Sequence, residues 1–366
     1  MNIVISDAGV NWRGSEEVTA ILARGFKTHG HNPIIFCRPK SALLERLGNE
    51  ITCDPVLSGG DVNPITIARC AIALKRHKAD VVITQKDKDV RLSGLAARMT
   101  NVPLMILHIT DRPLKDKLRY RFYFGGRDSI HVANSESTKK TLLDSAPWLK
   151  AKVHVIPNGI DVERFANAEP LDLQLPQNTV AVGFVGNFEY RKGILDFAEA
   201  WHLAAPQVPH AHAVIAGAGN RQPEFEAALA GAPRVHMLGF QRNVPGLMKA
   251  LDVFVFPSLF EGFGLVMAEA MAAQTAVVGY DASSLPEIAV KGEEALLVPL
   301  KDVSALADAI VLVCNDAALR SRIALAGQAR VRRDFTEAKM VERYLGLLSS
   351  SIAGQPFIPF YAKDAK

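Results

Sequence analysis

The chain has 366 residues, of which 49% are hydrophobic and 22% charged, a composition typical of a globular protein with a large core and roughly two domains. Four scattered cysteines without CxxC spacing argue against a zinc site or a disulfide framework and favour a reducing cytosol. The net charge is +4, but residues 1–165 hold 25 Lys and Arg against 17 Asp and Glu, so the first half is basic and the rest acidic. A basic half suits nucleic acid, anionic lipid or a phosphorylated ligand, and charge alone does not choose among them.

The chain starts with MNIVISDAG, which is typical of a buried strand and a turn rather than of a signal peptide. No apolar run in the sequence approaches the roughly 18 residues that a membrane span needs. We therefore expect a cytoplasmic protein, or one bound peripherally at the inner face of a membrane.

Short β-branched segments alternate with longer amphipathic segments along the whole chain. The predicted strands are NIVIS, NPIIFC, ADVVITQ, VPLMILHIT, SIHVANS and KVHVIPN, followed by VAVGFVG, AHAVIAG, RVHMLG, VFVFPS, TAVVGY and ALLVP. Strands separated by helices indicate parallel sheets with right-handed crossovers. We predict two doubly wound α/β domains, residues 1–165 and 166–345, with a hinge near 160–178 and a segment 346–366 that returns to the first domain.

Ligands of such sheets bind beyond the carboxyl ends of the strands, which directs attention to the loop after Phe256. In the sequence FPSLFEGFGLVMAEAMA the glycines let the backbone approach a ligand, and free N–H groups at the start of the next helix can receive an anion. Glu261 before the helix and Glu269 inside it can accept hydrogen bonds from hydroxyl groups. A phosphate between two polyols fits this layout, as in a nucleotide sugar. The alternative is an ordinary helix N-terminus with two acidic residues near its dipole.

Three further loops carry candidate residues. Arg191 and Lys192 in GNFEYRKG precede a helix, where two cations are unfavourable unless an anionic ligand compensates them; a solvated basic turn is the alternative. In the first half, Gly14 and Ser15 open a helix whose turn can receive phosphate. His108 ends the strand PLMILH and is therefore expected at the carboxyl edge of the first sheet. A lone histidine at such a position is more often a hydrogen-bonded structural residue. VIAGAGN is only a weak dinucleotide-binding signal.

Taken together, these elements resemble the retaining GT-B glycosyltransferases of family four. The resemblance depends on NSESTKKTL, VHVIPNGIDVERF, VGNFEYRKG, VIAGAGN, VHMLGFQRNVPGLMKALDVFVFPS and EGFGLVMAEAMA in this order, and it covers nearly the whole chain. It implies a GT-B fold, that is, two Rossmann-like domains facing each other across a cleft. Asn187 stands where many members have arginine, Ser15 replaces a glycine, and ASSLPE lacks the usual Gly-Gly, which leaves donor identity and acceptor geometry open.

The resemblance also implies roles for the candidate residues. Arg191 and Lys192 would hold the donor diphosphate and neutralise the leaving nucleotide, Glu261 would bind the transferred sugar, and His108 would lie near sugar and acceptor. Glu269 would bind the ribose hydroxyls. The remaining residues implied to bind substrate are Gly14, Ser15, Gly186, Asn187, Phe263, Gly264, Leu265 and Arg242.

The predicted activity is transfer of a sugar, with retention, from a nucleotide-sugar donor to a hydroxyl of a glycan, glycolipid or small-molecule acceptor, in cell-envelope polysaccharide or glycolipid biosynthesis. No cofactor and no metal are expected, since the only DxD-like motif, DKD at 87–89, lies in the first domain and the two cations can neutralise the leaving group. The alternatives are a nucleotide-sugar epimerase of similar fold and a catalytically silent sugar-nucleotide-binding protein.

A basic and aromatic segment, residues 112–127, follows His108 directly. Its cations are Arg112, Lys115, Lys117, Arg119, Arg121 and Arg127, and its aromatic residues are Tyr120, Phe122, Tyr123 and Phe124. This composition suits the interface of an anionic bilayer, where each nearby cation contributes about 1 kcal/mol. Single-stranded nucleic acid favours the same residues, but no nucleic-acid module accompanies them, and a solvated helix with inward aromatics is the other interpretation. We predict that the segment docks on a membrane or a lipid-linked acceptor.

Overall fold

The computed structural model describes residues 1–125 and 129–352. Arg127 of the basic segment and residues 353–366 of the predicted C-terminal segment lie outside the described residues. The described chain forms two compact units, residues 1–159 with the helix Glu337–Ile352, and residues 160–336.

The first unit alternates strands and helices, as the sequence predicts. Its strands are β1 (Asn2–Ser6), β2 (Asn32–Phe36), β3 (Thr52–Asp54), β4 (Val81–Thr84), β5 (Leu104–His108), β6 (Ser129–Ala133) and β7 (Val153–Val155). Its helices before residue 160 are α1 (Gly14–Thr28), α2 (Ala42–Leu47), α3 (Pro64–Arg76), α4 (Asp87–Asp89), α5 (Leu95–Met99), α6 (Leu118–Phe124) and α7 (Glu136–Ser145), with a π turn at Val90–Gly94 and a 3₁₀ turn at Pro147–Lys152.

The second unit repeats the alternation. Its strands are β8 (Val180–Val185), β9 (Ala211–Ala216), β10 (Val235–Gly239), β11 (Val253–Phe256), β12 (Ala276–Asp281) and β13 (Leu296–Pro299). Its helices are α8 (Val162–Ala166), α9 (Ile194–Ala204), α10 (Gln222–Ala228), α11 (Val244–Ala250), α12 (Leu265–Ala272), α13 (Leu285–Ile288), α14 (Val303–Asn315) and α15 (Ala317–Asp334), with 3₁₀ turns at Tyr190–Lys192 and Ala205–Gln207. The last described helix is α16 (Glu337–Ile352).

Both sheets are parallel and doubly wound. The first has the strand order β3-β2-β1-β4-β5-β6-β7 and the second the order β10-β9-β8-β11-β12-β13. In the central strands nearly every residue is buried, because helices cover both faces of each sheet. Apolar and polar residues therefore do not alternate along these strands, as they do in a sheet with one face in solvent. The predicted α/β fold with two Rossmann-like domains is confirmed. The prediction missed β3, which pairs with the edge of β2 over three residues and is too short to show a pattern.

The core of each unit has a layer on either side of its sheet. In the first unit, α1 and α16 cover one face, and the two helices pack so closely that a Cβ on Gly25 would lie 2.2 Å from a methyl carbon of Val341. In the second unit, α9 and α14 cover one face and α11 and α12 the other. No helix within the described residues has the length and apolar character that crossing a bilayer demands.

The unit boundaries lie slightly before the predicted limits at 165 and 345. The N–H of Ile160 donates to the carbonyl of Phe335 at 2.9 Å, and Ile160 bridges to Thr336, so the chain has already entered the second unit at residue 160. It leaves that unit at Glu337, where α16 begins.

A buried ion cluster joins the loops after β1 and β4, where the strand order of the first sheet reverses. Lys86 pairs with Asp7 and with Glu16, whose side chains are 0% and 2% exposed. Burial opposes the ionisation of Glu16, but the hydrogen bond and charge of Lys86 outweigh it and lower the pKa of this carboxyl. Asp89 accepts hydrogen bonds from the N–H groups of Ala8 and Lys86, and burial, with Asp7 nearby, raises its pKa well above the usual value.

We expect Lys86→Met to lower the free energy of unfolding of the first unit by about 3–5 kcal/mol, because it leaves buried carboxylates uncompensated. The control is Lys291→Met, which breaks an exposed lysine–carboxylate pair with Asp281 and should cost less than about 1 kcal/mol. Denaturant unfolding measures both changes. Equal and small losses in the two variants would contradict a structural role for the cluster.

Candidate active site

The strand order of the second sheet reverses between β8 and β11. At such a switch point the loops at the carboxyl ends of the two strands diverge and leave a crevice in which ligands bind. The loop after β8 carries Arg191 and Lys192, and the loop after β11 carries Glu261. The residues predicted to bind the diphosphate and the sugar therefore lie in the loops that follow the two strands flanking this crevice.

Gly193 brings the two loops together. It has a φ of +67° and precedes the first residue of α9. A Cβ at this position would lie 1.9 Å from the carbonyl oxygen of Pro257, so a larger residue could not fit. The N–H of Leu259 then donates to the carbonyl of Arg191 at 2.8 Å, which fixes one loop against the other.

Glu261 lies at the centre of a charged cluster. Its Oε1 is 2.5 Å from Nζ of Lys192 and accepts a hydrogen bond of 2.7 Å from the hydroxyl of Ser258, while Oε2 lies 3.5 Å from Arg191. Arg191 also donates to Glu189 at 2.8 Å. The side chains of Lys192 and Glu261 are only 11% and 10% exposed. The alternative of a solvated basic turn is therefore wrong for Lys192, whose Nζ also lies 5.2 Å from the centre of the Phe256 ring.

The cluster can exchange anions. Arg191, at 31% exposed, faces solvent more than Lys192 does, so an incoming anion can reach the guanidinium first. A phosphate would take over hydrogen bonds that Glu261 now makes, and both cations would keep a partner throughout. The arrangement is therefore suited to an anion that replaces Glu261 as the partner of the two cations.

Two serines hold the backbone that carries Glu261. The hydroxyl of Ser283 accepts from the N–H of Glu261 at 3.2 Å and donates to its carbonyl at 2.7 Å. Ser284 donates to the carbonyl of Phe263 at 2.8 Å. Ser283 has a φ of 53°, a conformation that glycine adopts more easily. The unusual ASSLPE sequence thus holds the EGFG loop with side chains, a role that motif comparison alone did not predict.

The helix after this loop begins close to the predicted position. Gly264 has a φ of +100° and precedes Leu265, the first residue of α12. Phe263 is 4% exposed and its ring centroid lies 5.4 Å from that of Phe335, so its side chain belongs to the core and only its backbone is left for a ligand. Glu269 is half-buried on α12.

The other predicted residues of the second unit lie in neighbouring loops. The chain turns at Gly186, whose N–H donates to the carbonyl of Ala216 at 3.0 Å, and Asn187 is exposed beside it. Arg242 is exposed in the turn between β10 and α11. Within the described residues, no hydrogen bond or ion pair joins Arg242 or Asn187 to the Glu261 cluster, so their assignment to substrate stays a prediction.

In the first unit, Gly14 and Ser15 open α1 as predicted, but an acidic residue shares this turn. Oε2 of Glu16 accepts the N–H of Arg13 at 3.0 Å and the hydroxyl of Ser15 at 2.9 Å. Glu16 is in turn paired with Lys86. Sequence reasoning missed that Glu16 and Lys86 adjoin the turn of Gly14 and Ser15, because these two residues lie 70 positions apart along the chain.

His108 ends β5 and pairs with a histidine on the adjacent strand. Its Nε2 lies 2.9 Å from Nδ1 of His131, whose Nε2 lies 2.9 Å from the carbonyl oxygen of Phe124. Burial lowers the pKa of His108 to about 4 and that of His131 well below its usual value, so both rings are neutral near pH 7. Since a carbonyl only accepts, His131 carries its proton on Nε2, and His108 must donate from its own Nε2. The Nδ1 atom of His108 is therefore unprotonated.

Comparison with known proteins identifies the family. Residues 12–164 match Glycosyltransferase Family 4, and residues 179–316 match the family described as Glycosyl transferases group 1. The phosphatidyl-myo-inositol mannosyltransferase of Mycobacterium tuberculosis is 35% identical over 85% of this chain and 86% of its own length. An Escherichia coli protein, UDP-Gal:alpha-D-GlcNAc-diphosphoundecaprenol alpha-1,3-galactosyltransferase, is 28% identical over 67% of this chain and 69% of its own length.

Solved structures share the fold. A glycosyltransferase from Rickettsia africae superimposes with a TM-score of 0.82 at 21% identity, over 96% of this chain and 98% of its own. Anabaena Alr3699/HepE, in complex with UDP and glucose, superimposes with a TM-score of 0.79 at 22% identity, over 96% and 100%. The chain belongs to family 4 of the glycosyltransferases and has the GT-B fold.

We expect Ser283→Gly to leave thermal stability near that of the wild type while lowering the rate of sugar transfer about tenfold. Glycine tolerates the positive φ, but the loop around Glu261 loses both hydroxyl contacts. The matched variant Ser283→Ala loses the same contacts and keeps the backbone strain, so its melting temperature should fall as well. A glycine variant with wild-type activity would show that the hydroxyl does not position Glu261.

Proposed function

We propose that the chain transfers a sugar, with retention of anomeric configuration, from a nucleotide-sugar donor to a hydroxyl of a lipid-linked glycan or glycolipid of the cell envelope. The observation that carries the proposal is the Lys192–Glu261–Arg191 cluster at the switch point of the second sheet. A diphosphate is the part of the donor that this pair of cations suits.

The donor diphosphate would lie between the two cations and the first turn of α12. The first N–H groups of a helix have no partner within it and carry partial positive charge, which complements phosphate. Arg191 and Lys192 would add charge-assisted hydrogen bonds. Glu269, further along α12, would accept hydrogen bonds from the ribose, and Glu261, once released from the cations, from the transferred sugar.

The reaction needs stabilisation of a leaving group. The bond from the anomeric carbon to the diphosphate oxygen breaks, and a bond from the acceptor oxygen forms on the same face. The acceptor hydroxyl gives its proton to the departing phosphate oxygen. Arg191 and Lys192 would neutralise the charge that develops on the diphosphate, and we accordingly propose that no metal is needed.

The neutral state of His108 defines what that residue can do. An imidazole with a pKa of about 4 is no proton donor at neutral pH, and its Nε2–H is used by His131. Nδ1 remains an acceptor. We assign it the task of accepting a hydrogen bond from a hydroxyl of the sugar or of the acceptor, which orients that group without moving a proton.

The relatives support the proposed donor and acceptor. The names of two of them describe acceptors that carry a lipid, a phosphatidyl-myo-inositol and a diphosphoundecaprenol. A structural neighbour binds UDP-glucose, which makes UDP-sugars the first donors to test. The exposed cations Arg112, Lys115, Lys117, Arg119 and Arg121 support docking of the first unit at an anionic membrane surface.

Binding of a panel of UDP- and GDP-sugars, followed by transfer to lipid extracts, tests the proposal. Nucleoside diphosphate should be released only when an acceptor is present, and chelation of metal ions should leave the rate unchanged. Release without acceptor would favour the epimerase alternative. Failure to bind any nucleotide sugar or nucleoside diphosphate would overturn the proposal.

We expect Arg191→Ala and Lys192→Ala each to lower kcat/KM at least about a hundredfold, because each removes a charge-assisted contact that strengthens as the leaving group departs. Steady-state transfer kinetics measure the loss. Arg322→Ala, which removes an exposed arginine of α15 in the same unit, is the control and should keep wild-type kinetics. Near-normal turnover in both cluster variants would refute the diphosphate assignment.

The two glutamates should differ in nucleotide binding. Glu269→Gln is expected to weaken binding of free nucleoside diphosphate about tenfold, because it weakens a hydrogen bond from ribose to a charged acceptor. Glu261→Gln should retain or improve that affinity, since it removes the carboxylate that competes for Lys192, and should lower turnover. Isothermal titration calorimetry and transfer assays separate the two effects, and equal losses of affinity would contradict this division of roles.

A further inference from the structure

Two histidines on neighbouring strands of the first sheet form a pair of which the proposed function uses only one member. In the parallel pairing of β5 and β6, His108 is opposite Ala133 and His131 is opposite Ile106. His108 and His131 are therefore diagonal neighbours on one face of the sheet, where cross-strand side chains interact. Their ring planes differ by 16° and their centroids are 5.2 Å apart. A shift of register by one residue would place His131 on the other face, so the pair depends on this alignment of the strands.

The two rings form a chain of hydrogen bonds with one direction. Nε2 of His108 lies 2.9 Å from Nδ1 of His131, and Nε2 of His131 lies 2.9 Å from the carbonyl oxygen of Phe124. Because the carbonyl only accepts, the proton of the neutral His131 ring is on Nε2 and its Nδ1 is an acceptor. If His108 carried its proton on Nδ1, two nitrogen lone pairs would face each other across the 2.9 Å contact. The chain therefore selects the Nε2–H form of His108.

The end of this chain at Phe124 is fixed by the surrounding structure. Phe124 is the last residue of α6, and its side chain is 2% exposed and packed in the core. Carbonyls at the C-terminus of a helix have no partner within it and are good acceptors. The hydroxyl of Ser129 donates to the same carbonyl at 3.1 Å, and the guanidinium of Arg98 donates to the carbonyl of Tyr123 at 2.7 Å. His131 therefore donates to an acceptor that is held in place.

The end of the chain at His108 is open. His108 is the last residue of β5 and is half-buried, whereas His131 is fully buried. In residues 1–125 and 129–352, no hydrogen bond occupies Nδ1 of His108. Ligands of parallel sheets bind beyond the carboxyl ends of the strands, which is where this acceptor lies. His131 has both nitrogens engaged and no exposed surface, so it acts on a ligand only through His108.

We infer that His131 is a positioning residue for sugar transfer, which holds the His108 ring in one orientation and one tautomer so that Nδ1 accepts from a substrate hydroxyl. The partner of one ring nitrogen sets the state of the other. Without His131, the ring of His108 can turn about its Cβ–Cγ bond and carry its proton on either nitrogen. A substrate hydroxyl then meets a donor instead of an acceptor for part of the time. This inference rests on the task proposed above for His108.

Two amide substitutions separate the two hydrogen bonds of His131. The amide oxygen of asparagine can take the place of Nδ1, and the amide nitrogen of glutamine can take the place of Nε2. His131→Asn therefore keeps an acceptor for His108, whereas His131→Gln keeps a donor for the carbonyl of Phe124. We expect kcat/KM for transfer to fall at least about tenfold in His131→Gln and to stay within about threefold of the wild type in His131→Asn. The opposite order would show that His131 only supports α6 and would overturn the inference.

Nitrogen NMR of the full-length protein, labelled at its histidines, detects the tautomer of His108 without substrate. His108→Ala identifies the signals of this ring. We expect Nε2 protonated and Nδ1 unprotonated in the wild type and in His131→Asn, and shifts averaged between the two tautomers in His131→Gln. Protonated Nδ1 in the wild type, or an unchanged tautomer in His131→Gln, would overturn the inference. Circular dichroism confirms folding, and His131→Leu, which also lacks the acceptor, replaces His131→Gln if that variant does not fold.

A double-mutant cycle tests whether the effect passes through His108. In a His108→Ala background, His131→Gln should lower kcat/KM no further, and fully additive losses would contradict the inference. The control is His212→Gln, which changes a similar cross-strand pair in the second unit, where Nδ1 of His212 lies 2.8 Å from Nε2 of His236; it should keep wild-type transfer.

The proposed function and this inference fail in different ways. Failure of the wild type to bind any nucleotide sugar would overturn the proposed function, whereas the tautomer of His108 and its dependence on His131 are measured without a nucleotide. Nucleoside diphosphate should bind all the histidine variants as it binds the wild type, because the cations proposed to hold it lie in the second unit.

Discussion

The contact between Lys192 and Glu261 determines the geometry of the candidate site, and the loops around it depend on that ion pair. A lysine and a glutamate that are each about nine-tenths buried are stable only when they compensate each other. The pair forms because Gly193 allows the loop after β8 to lie against the loop after β11. Ser258 and Ser283 then satisfy the remaining hydrogen-bonding groups of Glu261. Ion pairs and hydrogen bonds hold Arg191 and Lys192 in place within the described residues, and fixed charges of this kind favour electrostatic stabilisation of an anion.

The same construction occurs at the switch point of the first sheet, with a different charge balance. There Lys86 follows β4 and meets Asp7 after β1, with Glu16 on α1 and Asp89 close by. One cation serves three carboxyl groups, and the pKa of Asp89 is raised well above the usual value. In the second unit Arg191 and Lys192 balance Glu189 and Glu261, so two cations stand against two carboxylates.

Much of the fold follows from local patterns. The runs NIVIS, VVIT, LMILH and VFVF are buried strands because their side chains are apolar on both faces, as a sheet covered by helices on either side requires. The strand β3 was missed because Thr52–Asp54 carries no such pattern. These three residues form a strand only through their parallel pairing with β2. The glycines of the EGFG sequence predict that α12 begins directly after them. Gly264 precedes α12 with a φ of +100°, a conformation that glycine adopts much more easily than other residues.

The sequence by itself determined the fold class, the family and the identity of the charged residues after β8 and β11, because those depend on spacing along the chain. Only the tertiary structure decided which partners these residues have. Lys192 meets Glu261 across 69 positions, and Lys86 meets Glu16 across 70. The pairing of His108 with His131, and the proton positions that it imposes, likewise depends on the register of β5 against β6. Contacts of this kind arise from strand order and loop approach, which local propensity does not encode.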